Sequence, residues 1–172
     1  MKIKLTDNEE KYLQKIPEDK KITIKPFNGQ LESVAQDIMV KISTKFPDLE
    51  VVQMGASGLG ISGQGDLDIY ALCNPKDFPR YLPTFKELFD EPISEKPDFI
   101  EWNFEVDDIP VELYLTDPST QSMRSQLKVF QILKENKKLL SEYENLKNDM
   151  DGQSFREYQR NKYEFYHRIL GG

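Results

Sequence analysis

The sequence predicts an α+β fold: a small mixed β-sheet backed by helices and continued by a C-terminal helical extension. Three observations lead there. Residues 99–106 alternate cleanly, with Ile100, Trp102, Phe104 and Val106 on one side and Glu101, Asn103 and Glu105 on the other, the period-two signature of a half-buried strand. Leu31, Val34, Ala35, Ile38, Met39, Ile42 and Phe46 recur at the three- and four-residue spacing of a single helical stripe. From about Ser119 the pattern is helical to the end of the chain, broken at Gly152.

In chain order, residues 1 to 28 are polar and punctuated by Pro17 and Pro26, which predicts an arm with one short strand at Lys20–Ile24. The apolar stripe then predicts a helix over Leu31–Phe46, closed by Pro47. Leu49–Met54 reads as a strand that delivers the chain into a glycine-rich loop, and Asp66–Tyr70 as the strand that leaves it. Asn74–Asp90 contains Pro75, Pro79 and Pro83 but also Tyr81, Leu82, Phe85, Leu88 and Phe89, so a helix is expected over its later half. Asp107-Asp108 turns the 99–106 strand back into Pro110–Leu115, a β-hairpin. Three helices finish the chain. The first opens near Ser119 and presents Met123, Leu127, Phe130, Ile132 and Leu133, and the others cover Lys138–Met150 and Phe155–Leu170. The expected division is an α/β core with its N-terminal arm over 1–118 and a helical extension, packed on the same domain, over 119–172.

The glycine loop carries the chemistry. Residues 54–70 hold five of the chain's nine glycines and end in Asp66-Leu67-Asp68. On a strand Asp66 and Asp68 point one way and Leu67 and Ile69 the other. Two like charges so close are unfavourable unless a cation joins them, and a hard oxygen-ligand ion such as Mg²⁺ (or Mn²⁺) suits them. Glycines without Cβ atoms let several backbone N–H groups approach a phosphate, to which Ser57 or Ser62 adds a hydroxyl. A plainer reading has a glycine turn leading into a strand with two solvated aspartates. A third acid, Glu112, sits between Val111 and Leu113; it is either a solvated edge-strand glutamate or a further ligand or general base.

Taken together, Gly55-Ala56-Ser57, Gly65-Asp66-Leu67-Asp68-Ile69 and Val111-Glu112-Leu113 resemble the nucleotidyltransferase superfamily that includes DNA polymerase beta. The run Lys128–Asn136, then Tyr143–Lys147, then Tyr158 and Lys162–Phe165 resembles the tail of its GrpB-like branch. The resemblance implies a nucleotidyltransferase-like sheet and Mg²⁺-dependent transfer of a nucleoside monophosphate from a nucleoside triphosphate to a hydroxyl acceptor, small molecule or protein. Asp66 and Asp68 would be metal ligands and Glu112 the third acid, catalytic with them. Gly55, Ser57, Lys128 and Lys162 would contact the nucleotide. The chain departs from the pattern at Ala56, where the superfamily has serine directly after the first glycine, and it keeps its single histidine, His167, near the end. The alternative is a nucleotide-binding or regulatory GrpB-like domain without catalysis. A third reading, a structural domain, expects no affinity for metal or nucleotide.

Composition bounds these readings. At 172 residues the chain suits one domain with a single core. Thirty acids against 23 bases give a net charge of −7, which opposes binding to a long nucleic-acid backbone. No Gly-Lys-Ser or Gly-Lys-Thr marks a P-loop. One cysteine, Cys73, precludes an internal disulfide or a thiolate zinc cluster and is expected to act as a small hydrophobe. The charged N-terminus and the lack of an 18-residue apolar run lead to the expectation of a cytoplasmic protein without a membrane partner. Trp102 is expected in the core and His167 at the surface or in tail packing. Of the C-terminal bases Arg124, Lys128, Arg156, Arg160 and Lys162, any that fold over the acids would meet the triphosphate.

Overall fold

A computed structural model describes residues 2–171. It is α+β, with a five-stranded mixed sheet backed by helices. Its contacts divide the chain into two compact units. A sheet unit comprises Phe27–Ile61 and Gly65–Arg124; a helical unit comprises the chain up to Pro26, the short segment Ser62–Gln64, and the chain from Ser125 onward. Each has its own cluster of buried apolar side chains.

In the sheet unit, α2 (Gly29–Lys45) starts where the Asn28 side chain accepts from the Gln30 N–H at 2.9 Å. It leads into β1 (Glu50–Met54), the short α3 (Gly55–Leu59) and β2 (Leu67–Leu72). A 3₁₀ turn at Pro75–Asp77 precedes α4 (Phe78–Phe89), whose second residue, Pro79, lies in the first turn where a missing N–H costs nothing. Then come β3 (Ser94–Glu95), β4 (Phe99–Val106) and β5 (Ile109–Thr116). The spatial order is β1-β2-β5-β4-β3, antiparallel except for the central β2–β5 pair. That parallel pair is the result of crossing over through α4 before the hairpin returns the chain beside β2.

The register sorts the two faces of the sheet. Gln53, Ile69, Leu113 and Trp102 form one cross-sheet row, flanked by Val51, Ala71, Leu115 and Ile100. This face packs with the α2 residues Val34, Ala35, Ile38 and Ile42 and with Phe85 of α4, whose ring lies 5.3 Å from that of Trp102. Trp102 is 1% exposed and donates its indole N–H to the Asp90 carbonyl at 2.9 Å, so it is core, as its place in the alternation predicts. Cys73 packs at the edge of this cluster, and burial, with Asp77 and Asp117 nearby, pushes its thiol up to about 11.

The helical unit contains α1 (Asp7–Lys15), α6 (Lys137–Asp149) and α7 (Phe155–Ile169), together with the later part of α5 (Gln121–Glu135), which runs across the division after Arg124. Leu5, Leu13, Ile16, Ile22, Phe155 and Tyr158 make its cluster. The N-terminal segment packs into this cluster through Leu5, Leu13, Ile16 and Ile22. Thr6 and Glu9 form a reciprocal capping box that starts α1, and Leu13 is buried. Arg160 pairs with Glu10 at 2.8 Å and His167 with Glu9 at 2.9 Å, which places His167 in tail packing as expected. The expected strand at Lys20–Ile24 reduces to a single bridge, Lys21 to Ser154, because the neighbouring backbone groups bond instead to the turn before α7.

Candidate functional site

The acid-bearing face is the one opposite α2 and α4. Along it the register aligns Met54, Asp68, Glu112 and Asn103 in one row, and Val52, Tyr70, Tyr114 and Glu101 in the next. Asp68 and Glu112 are direct cross-strand neighbours on β2 and β5, with strands about 4.8 Å apart. Asp66 stands one residue before β2 begins. All three side chains are partly buried, and Asp66 and Asp68 both interact with neighbours in the fold. Like charges opposite one another on a sheet are destabilising, so the pairing of Asp68 with Glu112 is a place where a cation would be gained by the fold.

Gly55 explains why Asp68 can lie where it does. It opens α3 with φ of 66°, and a Cβ at this position would meet Asp68 Oδ2 at 2.2 Å. Only a residue without a side chain leaves room for that carboxylate. Residues 55–65 have the composition of one loop, but the first five form a turn of helix that ends at Gly60, itself left-handed with φ of 69°. The glycine density hid it, since five residues are too few to show a period.

Ser57 lies in this helical turn, 4% exposed, and its Oγ is buried with no hydrogen-bond partner. A buried unpaired hydroxyl costs about 1–3 kcal/mol. Ser62 differs: its N–H and its hydroxyl both donate to Glu144 Oε1, at 3.0 and 2.9 Å, within the helical unit. Neither bond was legible, because the partner lies 82 residues away.

One row from the acids, Tyr70 and Tyr114 stack with ring centroids 4.8 Å apart. The Tyr114 hydroxyl donates to Glu101 Oε1 at 3.2 Å. Burial first, and then the charge of Glu112, hold this phenol well above its ordinary range.

The sheet unit pairs Asp68 with Glu112 and sets Asp68 against Gly55, with Asp66 just ahead of β2 and Ser57 in the α3 turn. Lys128 and Lys162 belong to the helical unit, Lys128 exposed on α5 and Lys162 with its ammonium 5.5 Å from the centre of the Tyr166 ring on α7. The donor chemistry of the acids, carboxylate oxygens alone, fits a hard divalent cation. Among the described residues, no three of His, Cys, Asp or Glu are already gathered into a group that could hold an ion. Among them, too, no helix is long and apolar enough to cross a membrane.

No family model matches the chain, and no curated protein matches it. Among solved structures it is similar to the Cid1 poly(U) polymerase, described with Mg and 3′-dATP bound, at 14% identity and a TM-score of 0.42. The match covers 81% of this chain and 46% of that one, so the chain spans about half the length of the solved structure.

Proposed function

We propose that this chain is a Mg²⁺-dependent nucleotidyltransferase that moves a nucleoside monophosphate from a nucleoside triphosphate to a hydroxyl acceptor. One observation carries the reading: Asp68 and Glu112 face each other across two parallel strands, with Asp66 just ahead of them and Gly55 leaving space for the Asp68 carboxylate. Such a concentration of negative charge is explained by a cation and the phosphates it brings. The motif resemblance to the nucleotidyltransferase superfamily, and in the C-terminal helices to its GrpB-like branch, supports the same chemistry.

In this reading Asp66, Asp68 and Glu112 would hold Mg²⁺, or Mn²⁺, by their carboxylates. The ion, when bound, neutralises charge on the phosphate oxygens. Glu112 takes the proton from the acceptor hydroxyl as its oxygen bonds to the α-phosphorus; the bond from that phosphorus to the β-bridging oxygen breaks and pyrophosphate leaves with the electron pair. The resemblance assigns Gly55 and Ser57 to the phosphates. The GrpB-like resemblance also implies nucleotide contacts for Lys128 and Lys162, which belong to the helical unit. The sheet unit carries 18 acids against 7 bases, which disfavours a long nucleic acid as acceptor and leaves a small molecule or a protein hydroxyl. A cytoplasmic setting, where nucleoside triphosphates are abundant, completes the reading.

The test is pyrophosphate release from each nucleoside triphosphate with Mg²⁺ and a panel of hydroxyl compounds. Release by the parent and its loss in Asp68→Asn are expected; equal release by both would sink the mechanism. Ala56, standing where the superfamily has serine, favours a second reading: a GrpB-like domain that binds a nucleotide without turning it over. Nucleotide bound at the acids and recovered intact with every acceptor would support it.

A further inference from the structure

We infer that Tyr114 is a positioning residue for the cation site: its hydroxyl keeps Glu101, a further carboxylate on the acid-bearing face, out of the row of Asp68 and Glu112. In its functional consequence this rests on the reading above, that those acids hold a divalent cation. All the residues concerned belong to the sheet unit. The register sets Glu101 of β4 opposite Tyr114 of β5, and Asn103 opposite Glu112 one row away on the same face. Glu101 and Glu112 are therefore diagonal neighbours, roughly 7–8 Å apart, a span that a glutamate side chain can cross. A further carboxylate beside Asp68 and Glu112 would attract a cation more strongly and occupy one of its coordination positions. Among the described residues, however, no three such acids are gathered into one group.

The Tyr114 hydroxyl donates to Glu101 Oε1 at 3.2 Å, and among the described residues it is the one donor to that carboxylate. The distance is long for a hydroxyl donor, so the place of the hydroxyl is set by the ring that carries it. That ring is fixed on two sides. It stacks on Tyr70 with centroids 4.8 Å apart and planes 13° from parallel, and it meets the Phe99 ring at a steep angle with centroids 6.2 Å apart. Tyr70 and Tyr114 are direct neighbours on the parallel strands β2 and β5, one row from Asp68 and Glu112. Burial first, then the charge of Glu112 and after it that of Glu101, push the phenol upward, so it keeps the proton it donates. Without the hydroxyl, Glu101 retains its charge and loses this anchor. Its side chain can then turn along the face toward a cation held at Glu112.

The experiment compares the full-length parent with Tyr114→Phe, which keeps the stacked ring and removes the hydroxyl, with Glu101→Ala, and with the two combined. The probe is Mn²⁺ alone, its free concentration read by electron paramagnetic resonance, and urea unfolding in EDTA is measured alongside. Tyr114→Phe should bind Mn²⁺ roughly threefold to tenfold more tightly, because a released carboxylate joins the site. Glu101→Ala should stay within about twofold of the parent, and the double variant should return to the same level. An affinity in Tyr114→Phe equal to or below the parent's would overturn the inference, as would a gain that survives in the double variant. A marked loss of affinity in Glu101→Ala would overturn it too, since Glu101 would then already be a ligand. In EDTA, Tyr114→Phe should lower the urea midpoint of the parent and change it little once position 101 is alanine; equal shifts in both backgrounds would show that the hydroxyl does not hold Glu101. A parent that binds no Mn²⁺ would defeat the transfer reading instead, and the comparison in EDTA would still decide whether Tyr114 holds Glu101.

Discussion

The Asp68 carboxylate occupies the space that any side chain at position 55 would need: a Cβ on Gly55 would come within 2.2 Å of Asp68 Oδ2. Gly55→Ala therefore meets two penalties, the left-handed backbone at φ of 66° and the clash, together about 1–3 kcal/mol of stability by urea unfolding. In an Asp68→Ala background the clash is gone, and Gly55→Ala should cost only the backbone share, about 1–2 kcal/mol. Equal costs in both backgrounds would show that the two positions are not coupled.

Glu112 faces Asp68 across β2 and β5. Glu112→Gln removes one of two like charges, so in EDTA the variant should be as stable as the parent or more stable by about 0.2–1 kcal/mol. Added Mg²⁺ should raise the parent's melting temperature and leave the variant's unchanged. A large loss of stability in EDTA would instead make Glu112 a structural acid.

Acid should loosen the N-terminal helix. Burial would raise the Glu9 carboxyl above its ordinary value of 4.5, but the bonds from the Thr6 backbone and side chain and from His167 outweigh it, and the net shift is downward. A carboxyl lowered in the folded state adds stability that is full above its unfolded value and is lost as pH falls through the folded one. Stability should decline from about pH 4.5 downward, and Glu9→Gln should flatten that limb of a melting-temperature profile while lowering the plateau at pH 7. An unaltered acid limb would contradict the role given to Glu9.

The β4–β5 turn offers a gain. Asp107 and Asp108 both have positive φ, 50° and 64°, as a two-residue hairpin turn of the right hand requires. Asp108→Gly relieves the second of these and should raise stability by about 0.5–1 kcal/mol, read as a higher urea midpoint with an unchanged slope.

Elements with a clear period were legible before the structure. The α2 stripe, the β4 alternation and the Asp107-Asp108 turn each announce themselves over a few residues. The carboxylates of Asp66, Asp68 and Glu112 could be named as candidates, but the pairing of Asp68 with Glu112 depends on the crossover that sets β5 beside β2, which no local pattern encodes. Helix α1 was hidden by the polar composition around it, although Thr6 and Glu9 carry the spacing of a capping box. Helix α3 is too short for a period, and the two residues of β3 take their strand conformation from Glu101 and Ile100 of β4. The contact of Glu144 with Ser62 could not be found from the neighbours of either residue, since it spans 82 positions.

The most direct test is the melting temperature with each nucleoside triphosphate, with and without Mg²⁺, in the parent and in an Asp66→Asn/Asp68→Asn variant. A ligand that binds only the folded state adds about 2.7 kcal/mol at a hundredfold excess over its Kd. The expected result is a Mg²⁺-dependent rise in the parent that is absent from the variant. No rise with any nucleotide, or the same rise in both proteins, would contradict nucleotide binding at the paired acids.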